Sequence, residues 1–126
     1  MKPTDAELEI LQVLWAEGPA TVRAVNERLN EKREVGYTTT LKIMQIMYEK
    51  GLVSREEEGR THLYTSAVSE QDTKSVLLRQ FIDSAFKGSA MQLVMHALGR
   101  HEADADELNE IKALIAQIEQ NNEHKL

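Results

Sequence analysis

The hydrophobic and polar positions in the first half of the chain repeat with the period of an α-helix in three separate stretches. In the first, residues 4–16, Thr4 and Glu7 have the spacing of a capping box and leucines follow at helical intervals. The second stretch has Thr21 as its predicted N-cap. The third, residues 37–50, is followed directly by a glycine, which favours a left-handed helix cap. Three helices are therefore predicted before residue 52.

The third predicted helix has two distinct sides. At 100° per residue, one side gathers residues that we expect to face the core: Leu41, Met44, Met47 and Tyr48. The opposite side gathers residues that we expect to point outward: Thr38, Thr39, Lys42, Gln45 and Ile46. A helix with one apolar side and one polar side can pack on a core and still present polar groups to a partner.

Two short β-prone segments follow the helices. Residues 52–57 and 61–65 are joined at residues 58–60, where Gly59 tolerates the positive φ that a hairpin turn requires. Three helices followed by a hairpin is the order of a winged helix-turn-helix, in which the third helix is free to enter the major groove of DNA. Arg60 lies at the predicted tip of the wing.

The outward residues of the third helix have side chains that can contact DNA. The hydroxyls of Thr38 and Thr39 lie near a helix N-terminus, where phosphate oxygens are favoured. Lys42 can meet a guanine edge or a phosphate, and Gln45 can address adenine. Arg60 is a candidate contact to a phosphate or to the minor groove.

A different interpretation of the same residues stays open. The threonines can be helix caps, the other polar groups a solvated helix face, and Arg60 a residue that only solubilises a turn. The run 56–58 is three glutamates, which repel a phosphate backbone. Either the wing stands away from the duplex or these carboxylates point elsewhere.

The second half of the chain predicts helices whose apolar side chains exceed what a monomer can bury. We expect the chain to divide into a winged-helix DNA-binding domain, residues 1–67, and a helical dimerisation domain, residues 68–126. The second domain would pair across a two-fold axis, and an alternative is that its helices fold back on the first domain as one monomeric core. The predicted dimerisation residues are Phe81, Phe86, Leu93, Val94, Leu108, Ile111, Ile115 and Ile118. The predicted fold class is mainly α with a small β-wing.

Composition narrows the functional classes. The 126 residues carry a net charge of −6 and no cysteine, which excludes disulfides and thiolate metal sites. No apolar run is long enough for a membrane span or a signal-peptide core, so we expect a cytoplasmic protein. No catalytic motif occurs, and neither an enzyme nor a cofactor is predicted. Two alternatives to a DNA-binding repressor stay open: a winged-helix protein-interaction module, and a metal-responsive repressor with His96, His101, Glu102 and Asp104 as its candidate ligands.

The motifs together resemble the penicillinase-repressor family of bacterial transcription factors, the BlaI/MecI/CopY group. The likeness extends over nearly the whole chain and rests on residues 4–11 with Trp15, residues 21–25, the run Tyr37-Thr38-Thr39-Thr40-Leu41, residues 49–53, Gly59-Arg60 and Tyr64. It implies a winged-helix domain, a helical dimerisation domain, and repression by a homodimer on a double-stranded operator with dyad symmetry. By this resemblance the helix with Thr38, Thr39 and Lys42 is the recognition helix. Tyr37 and Thr40, from the same run, join the predicted DNA-binding residues.

The chain departs from that family in the features that release its members from DNA. The copper-responsive branch has paired Cys-x-Cys motifs, which a chain without cysteine cannot form. The β-lactam-responsive branch is cleaved at an Asn-Phe bond, and the aligned positions here are His96-Ala97. The resemblance therefore gives a binding role and no inducing signal.

Overall fold

A computed structural model describes residues 2–100 and 104–123 of the chain. As predicted, its fold is mainly α with one small antiparallel sheet. The elements are α1 (Asp5–Glu17), α2 (Val22–Asn30), α3 (Tyr37–Lys50), β1 (Val53–Glu58), β2 (Thr61–Ser66), α4 (Glu70–Ala85), α5 (Ala90–Arg100) and α6 (Ala105–Glu123). Within the described residues, no helix combines the length and the apolar character that crossing a membrane requires.

The helix ends follow the capping residues read from the sequence. Thr4 accepts a hydrogen bond from the Glu7 amide, and the Glu7 side chain accepts one from the Thr4 amide, which completes the predicted capping box of α1. The Thr21 hydroxyl accepts from the Ala24 amide at the start of α2. Gly51 ends α3 in the left-handed conformation, at φ 83°. Each of these caps fixes one end of its helix.

The wing is a two-stranded hairpin. Each of its strands ends one residue later than the sequence predicted. Gly59 takes φ 63° in the two-residue turn, as the turn requires. An isolated antiparallel bridge adds Ala20 to Tyr64 through two backbone hydrogen bonds of 2.8 and 2.9 Å. This bridge was not predicted, and it joins the segment before α2 to the wing.

The chain divides into two compact units, Met1–Gln80 and Phe81–Leu126. The boundary falls inside α4, whereas the predicted domain division lies before that helix. The first unit contains a continuous core of side chains from its helices and its hairpin. Its buried apolar residues are Ile10, Leu11, Leu14, Ala20, Val22, Val25, Leu29, Met44, Met47, Leu52, Val53 and Tyr64.

Two polar contacts tie distant segments of the first unit together. The Trp15 indole N–H donates to the Ser66 hydroxyl at 2.9 Å and to the Val68 carbonyl at 3.1 Å. The Lys50 ammonium donates to both carboxylate oxygens of buried Glu7, at 3.1 and 2.9 Å. Burial alone raises the pKa of the Glu7 carboxyl, but the Thr4 amide and Lys50 outweigh it and hold this pKa below its ordinary 4.5.

The second unit has a different character from the first. Among its residues 81–99 and 104–123, whose burial is described, none is buried as deeply as the core of the first unit. Helix α5 passes through Gly99 and ends at Arg100. Aromatic edge contacts link Phe81 to Phe86 and Phe86 to His96, with ring centroids 5.7 and 5.9 Å apart.

Candidate nucleic-acid interface

The outward side of α3 carries the polar residues that the sequence placed there. Thr38, Thr39, Lys42 and Gln45 are all exposed, and Ile46 beside them is 37% exposed. Tyr37 at the start of the helix is 50% exposed. Thr38, Thr39, Lys42 and Gln45 form one surface because positions three and four apart share a helix face, and Tyr37 precedes them at the start of the helix. We call Tyr37, Thr38, Thr39, Lys42 and Gln45 the reading face.

Two residues of α3 differ in burial from what their sequence positions predicted. Thr40, a predicted DNA-binding residue, is fully buried and accepts a hydrogen bond from the Asn26 side chain at 2.8 Å. It therefore leaves the predicted contact set, because a buried hydroxyl cannot reach a duplex. Tyr48, expected in the core, is 41% exposed, and the Arg55 guanidinium lies 4.0 Å from its ring centroid.

The N-terminus of α3 has no side-chain cap. Gly36 is the N-cap residue, and it provides no side chain to accept from the first amides of the helix. Such amides, with the positive end of the helix dipole, are suited to an anion such as phosphate. Exposed Thr38 and Thr39 stand in the same turn.

A groove of about 460 Å³ lies between the start of α2, the start of α3 and the wing, all within the first unit. It brings the wing-tip residue Arg60 to the same depression as Tyr37 of the reading face. Its remaining lining residues are Thr21, Val22, Arg23, Leu41, Thr61, His62 and Tyr64. Arg23 lies in residues 21–25 but was not predicted as a DNA contact. Its position in the first turn of α2 could have indicated such a role.

The glutamates of the wing do not all share one face. Residues paired across a hairpin point to the same side, and the register pairs Glu57 with His62 and Glu56 with Leu63. Glu57 thus lies on the side of the groove residue His62, 3.9 Å from its Nε2 atom. Glu56 lies on the opposite side together with Leu63, whereas Glu58 is paired with Thr61, which also lines the groove. Of the three carboxylates, only Glu56 is therefore turned away from the groove, while Glu57 and Glu58 are paired with groove residues.

The cations of the first unit fall into two groups. Within the described residues of this unit, seven cations have no carboxylate within ion-pair distance: Arg23, Lys42, Arg60, Lys2, Lys32, Arg55 and Arg79. Other cations are neutralised by carboxylates: Arg28 by Glu17 and Glu31, Arg33 by Glu9, Lys50 by Glu7, and Lys74 by Glu70. The unpaired cations therefore include Arg23 and Arg60 of the groove and Lys42 of the reading face, although the chain as a whole is acidic.

The predicted dimerisation residues are largely exposed in a single copy of the chain. Phe81 is 53% exposed, Ile115 51% and Ile118 49%, while Val94 and Leu108 are exposed to 48% and 39%. The other three, which are Phe86, Leu93 and Ile111, are half-buried. Side chains of this size at such exposure are unusual for a monomer when they occur together.

The candidate metal ligands are only partly within the described residues. His96 is exposed on α5 beside Phe86, and Asp104 caps α6 by accepting from the Glu107 amide at 2.8 Å. His101 and Glu102 lie outside the described residues. In the part of the chain that is described, no group of three or more His, Asp or Glu side chains is arranged to hold a metal ion.

Comparison with known proteins finds one family over most of the chain. A family model described as "Penicillinase repressor" matches residues 3–117. The transcriptional regulator BlaI of Mycobacterium tuberculosis is 31% identical over 106 residues, which cover 80% of this chain and 77% of that protein. The methicillin resistance regulatory protein MecI of Mammaliicoccus sciuri is 24% identical over 112 residues, 89% of this chain and 91% of that protein.

A solved structure resembles the winged-helix part. The solution structure of the DNA-binding domain of the repressor BlaI superposes with a TM-score of 0.50 at 28% identity. The alignment covers 57% of this chain and 93% of that domain.

Proposed function

The chain belongs to the penicillinase repressor family, and from that premise we propose that it represses transcription as a homodimer that binds a two-fold symmetric operator in the cytoplasm. Members of this family are transcriptional repressors rather than enzymes. The proposal assigns sequence reading to the reading face of α3, phosphate contacts to the groove beside it, and pairing of two copies to the second unit.

The observation that carries the proposal is the contrast between the two sides of α3. Buried Met44 and Met47 hold its inner side in the core, while its outer side presents hydroxyl, ammonium and amide groups. A helix fixed in this way can enter a major groove without distorting the domain. Lys42 and Gln45 have the chemistry to read base edges, and Thr38 and Thr39 to meet phosphate oxygens.

The unpaired guanidiniums support a phosphate-binding role for the groove. Arg23 and Arg60 approach it from α2 and from the wing, and neither has a carboxylate partner among the described residues. A guanidinium with free donors can form two parallel hydrogen bonds to one phosphate. The two arginines would hold the DNA backbone on both sides of the α3 N-terminus.

The exposed apolar side chains of the second unit support the homodimer. A second copy offers the same side chains, so two copies can cover each other across a two-fold axis. A two-fold dimer places two reading faces on the same side of the duplex about 34–36 Å apart when they meet successive major-groove turns. The operator would then be a palindrome with half-sites of matching spacing.

Selection of bound sites from random DNA provides the first test. We expect a palindromic consensus, and fluorescence anisotropy on that duplex should show log K falling with log salt by about 0.9 per phosphate neutralised. Lys42→Ala should weaken binding to the selected site by about 1–3 kcal/mol if Lys42 makes a bidentate base contact, and by less if it meets a phosphate.

Lys32→Ala is the matched control for this test. Lys32 is exposed and has no ion pair within the described residues, but it lies beside Glu9 and Gln12, outside the groove with Arg23 and Arg60. We expect it to bind the selected site as the wild type does. Equal losses in both variants would mean that α3 is not the reading helix. A protein that enriches no site and shows no salt dependence would instead favour the protein-interaction module.

A further inference from the structure

The first turn of α3 is held by side chains of α2 rather than by a cap of its own. Asn26 and Asn30, one turn apart on α2, both donate to the Val35 carbonyl, at 3.0 and 2.9 Å. Asn26 also donates to the buried Thr40 hydroxyl oxygen at 2.8 Å. We call these four residues, Asn26, Asn30, Val35 and Thr40, the asparagine bracket.

The asparagine bracket closes the turn between the two helices from both directions. The Asn30 side-chain oxygen accepts from the Val35 amide at 3.1 Å, while its amide group donates to the Asn26 carbonyl at 2.7 Å. The Thr40 hydroxyl donates in turn to the Gly36 carbonyl at 3.4 Å. The segment that leads into α3 and the first turn of α3 therefore share one hydrogen-bond network with α2.

This network acts on the same helical turn as the reading face. Thr40 points inward from the turn that carries Thr38 and Thr39 outward. Any shift of the Thr40 backbone moves the two outward threonines with it, because consecutive residues of one helical turn form a rigid unit. Hydrogen bonds restrict direction as well as distance, which apolar contacts do not.

We propose that Asn26 and Thr40 are positioning residues for DNA recognition, which set the orientation of the reading face without touching the duplex. This proposal rests on the proposed function. The bracket fixes the N-terminal end of α3, and the Lys50–Glu7 ion pair fixes its C-terminal end. Base contacts require close geometry and phosphate contacts tolerate more, so loss of the bracket weakens specific binding more than non-specific binding.

Thr40→Val tests the proposal, because valine keeps the shape of threonine and lacks its hydroxyl. Affinity is measured for the duplex selected from random DNA and for an unrelated duplex of equal length and composition. We expect Thr40→Val to lose about tenfold or more for the selected duplex, the equivalent of one good base contact, and to keep its affinity for the unrelated duplex. Thr40→Ser restores the hydroxyl and should recover most of the loss.

Ile10→Val is the control for a loss of stability alone. Ile10 is fully buried on α1 and takes no part in the asparagine bracket. The Ile10→Val substitution should lower the melting temperature. At a temperature where every variant is folded, it should leave the ratio of the affinities for the selected and the unrelated duplex unchanged. If Thr40→Val also leaves that ratio unchanged, the bracket only stabilises the fold and the proposal is overturned.

Two further outcomes remain distinct. If Thr40→Val fails to fold by circular dichroism, Asn26→Ala takes its place, with the same expected fall in the ratio and the same reversal of the proposal if the ratio holds. If the wild type itself fails to distinguish the two duplexes, the proposed function has failed, because that result does not depend on the bracket.

Discussion

The two units of the chain satisfy their apolar side chains in opposite ways. In the first unit, Leu11 and Met44 are among the residues that are completely buried within one copy. In the second, Phe81 and Ile115 are more than half exposed, although they are of similar size and apolar character. The first unit therefore has its own core, and the second has apolar surface that one copy leaves in water.

This difference indicates that stability depends mainly on the first unit and assembly mainly on the second. A unit with a closed core gains its burial energy whether or not a partner is present. A unit with exposed apolar faces gains most of that energy only on pairing, so its stability depends on protein concentration. We expect perturbations of the first unit to change unfolding and perturbations of the second to change the oligomeric state.

The largest expected effect comes from charging the second unit. Ile111→Asp with Ile115→Asp should give a monomer in analytical ultracentrifugation at micromolar concentration, because carboxylates would have to be buried in the interface. Affinity for a palindromic operator should fall about 10²–10⁴-fold, since the two half-sites then bind independently. Gln117→Asp, on the side of α6 away from Ile111 and Ile115, is the control and should stay dimeric. Dimers in the double variant would place the interface elsewhere.

A core truncation in the first unit should have the converse effect. Leu11→Ala removes a completely buried side chain and should lower the free energy of unfolding by roughly 2–5 kcal/mol in urea titrations. The dimer dissociation constant should not change. Ile115→Ala is the comparison. We expect it to lower the free energy of unfolding less at high protein concentration and to weaken dimerisation. If Leu11→Ala dissociates the dimer while folded, the units are not independent.

Truncation of the chain locates the boundary between the units. A fragment of residues 1–67 lacks the Val68 carbonyl that accepts from Trp15 and also lacks buried Thr73. We expect it to be less stable than a fragment of residues 1–80 by about 0.5–1.5 kcal/mol, because the half-buried Trp15 N–H loses one of its two acceptors. Both fragments should be monomeric. Equal urea midpoints would favour the boundary at residue 67.

The smallest expected effect is an acid sensitivity confined to the first unit. The folded-state pKa of Glu7 is lowered, so its contribution to stability is present above its ordinary pKa of 4.5 and is lost as the pH falls through the folded value. Urea midpoints should fall over this acid range, and Glu7→Gln should make that fall shallower. Glu9→Gln, a change at a more exposed carboxylate, should leave the slope nearer to that of the wild type.

Local signals in the sequence predicted the helices and the turn well. The capping threonines, Gly51 and Gly59 act on their own neighbours, so their roles could be inferred without knowing the fold. Thr40 was also within reach of the sequence, because it lies four and seven positions before buried Met44 and Met47 and so shares their stripe. Its place in a recognition motif obscured that spacing.

Contacts between distant segments could not be inferred in the same way. Tyr48 has the period of a core residue, but its partner is Arg55 of β1, and only the fold brings the two together. The bonds from Asn26 to Val35 and Thr40 depend on the angle between two helices, which no local pattern encodes. The same holds for Arg23, which gains its place beside Arg60 from the way α2 meets the wing.

The placement of Trp15 has an optical consequence. The chain has one tryptophan and three tyrosines, and all four lie before residue 81, whereas its two phenylalanines lie beyond residue 80. The tyrosine and indole absorbance and the indole emission thus originate in the winged helix alone, with Trp15 held against Ser66 and Val68. Separation of two copies would leave both signals almost unchanged, whereas melting of the winged helix would change them. Such spectra therefore distinguish the two events without any added label.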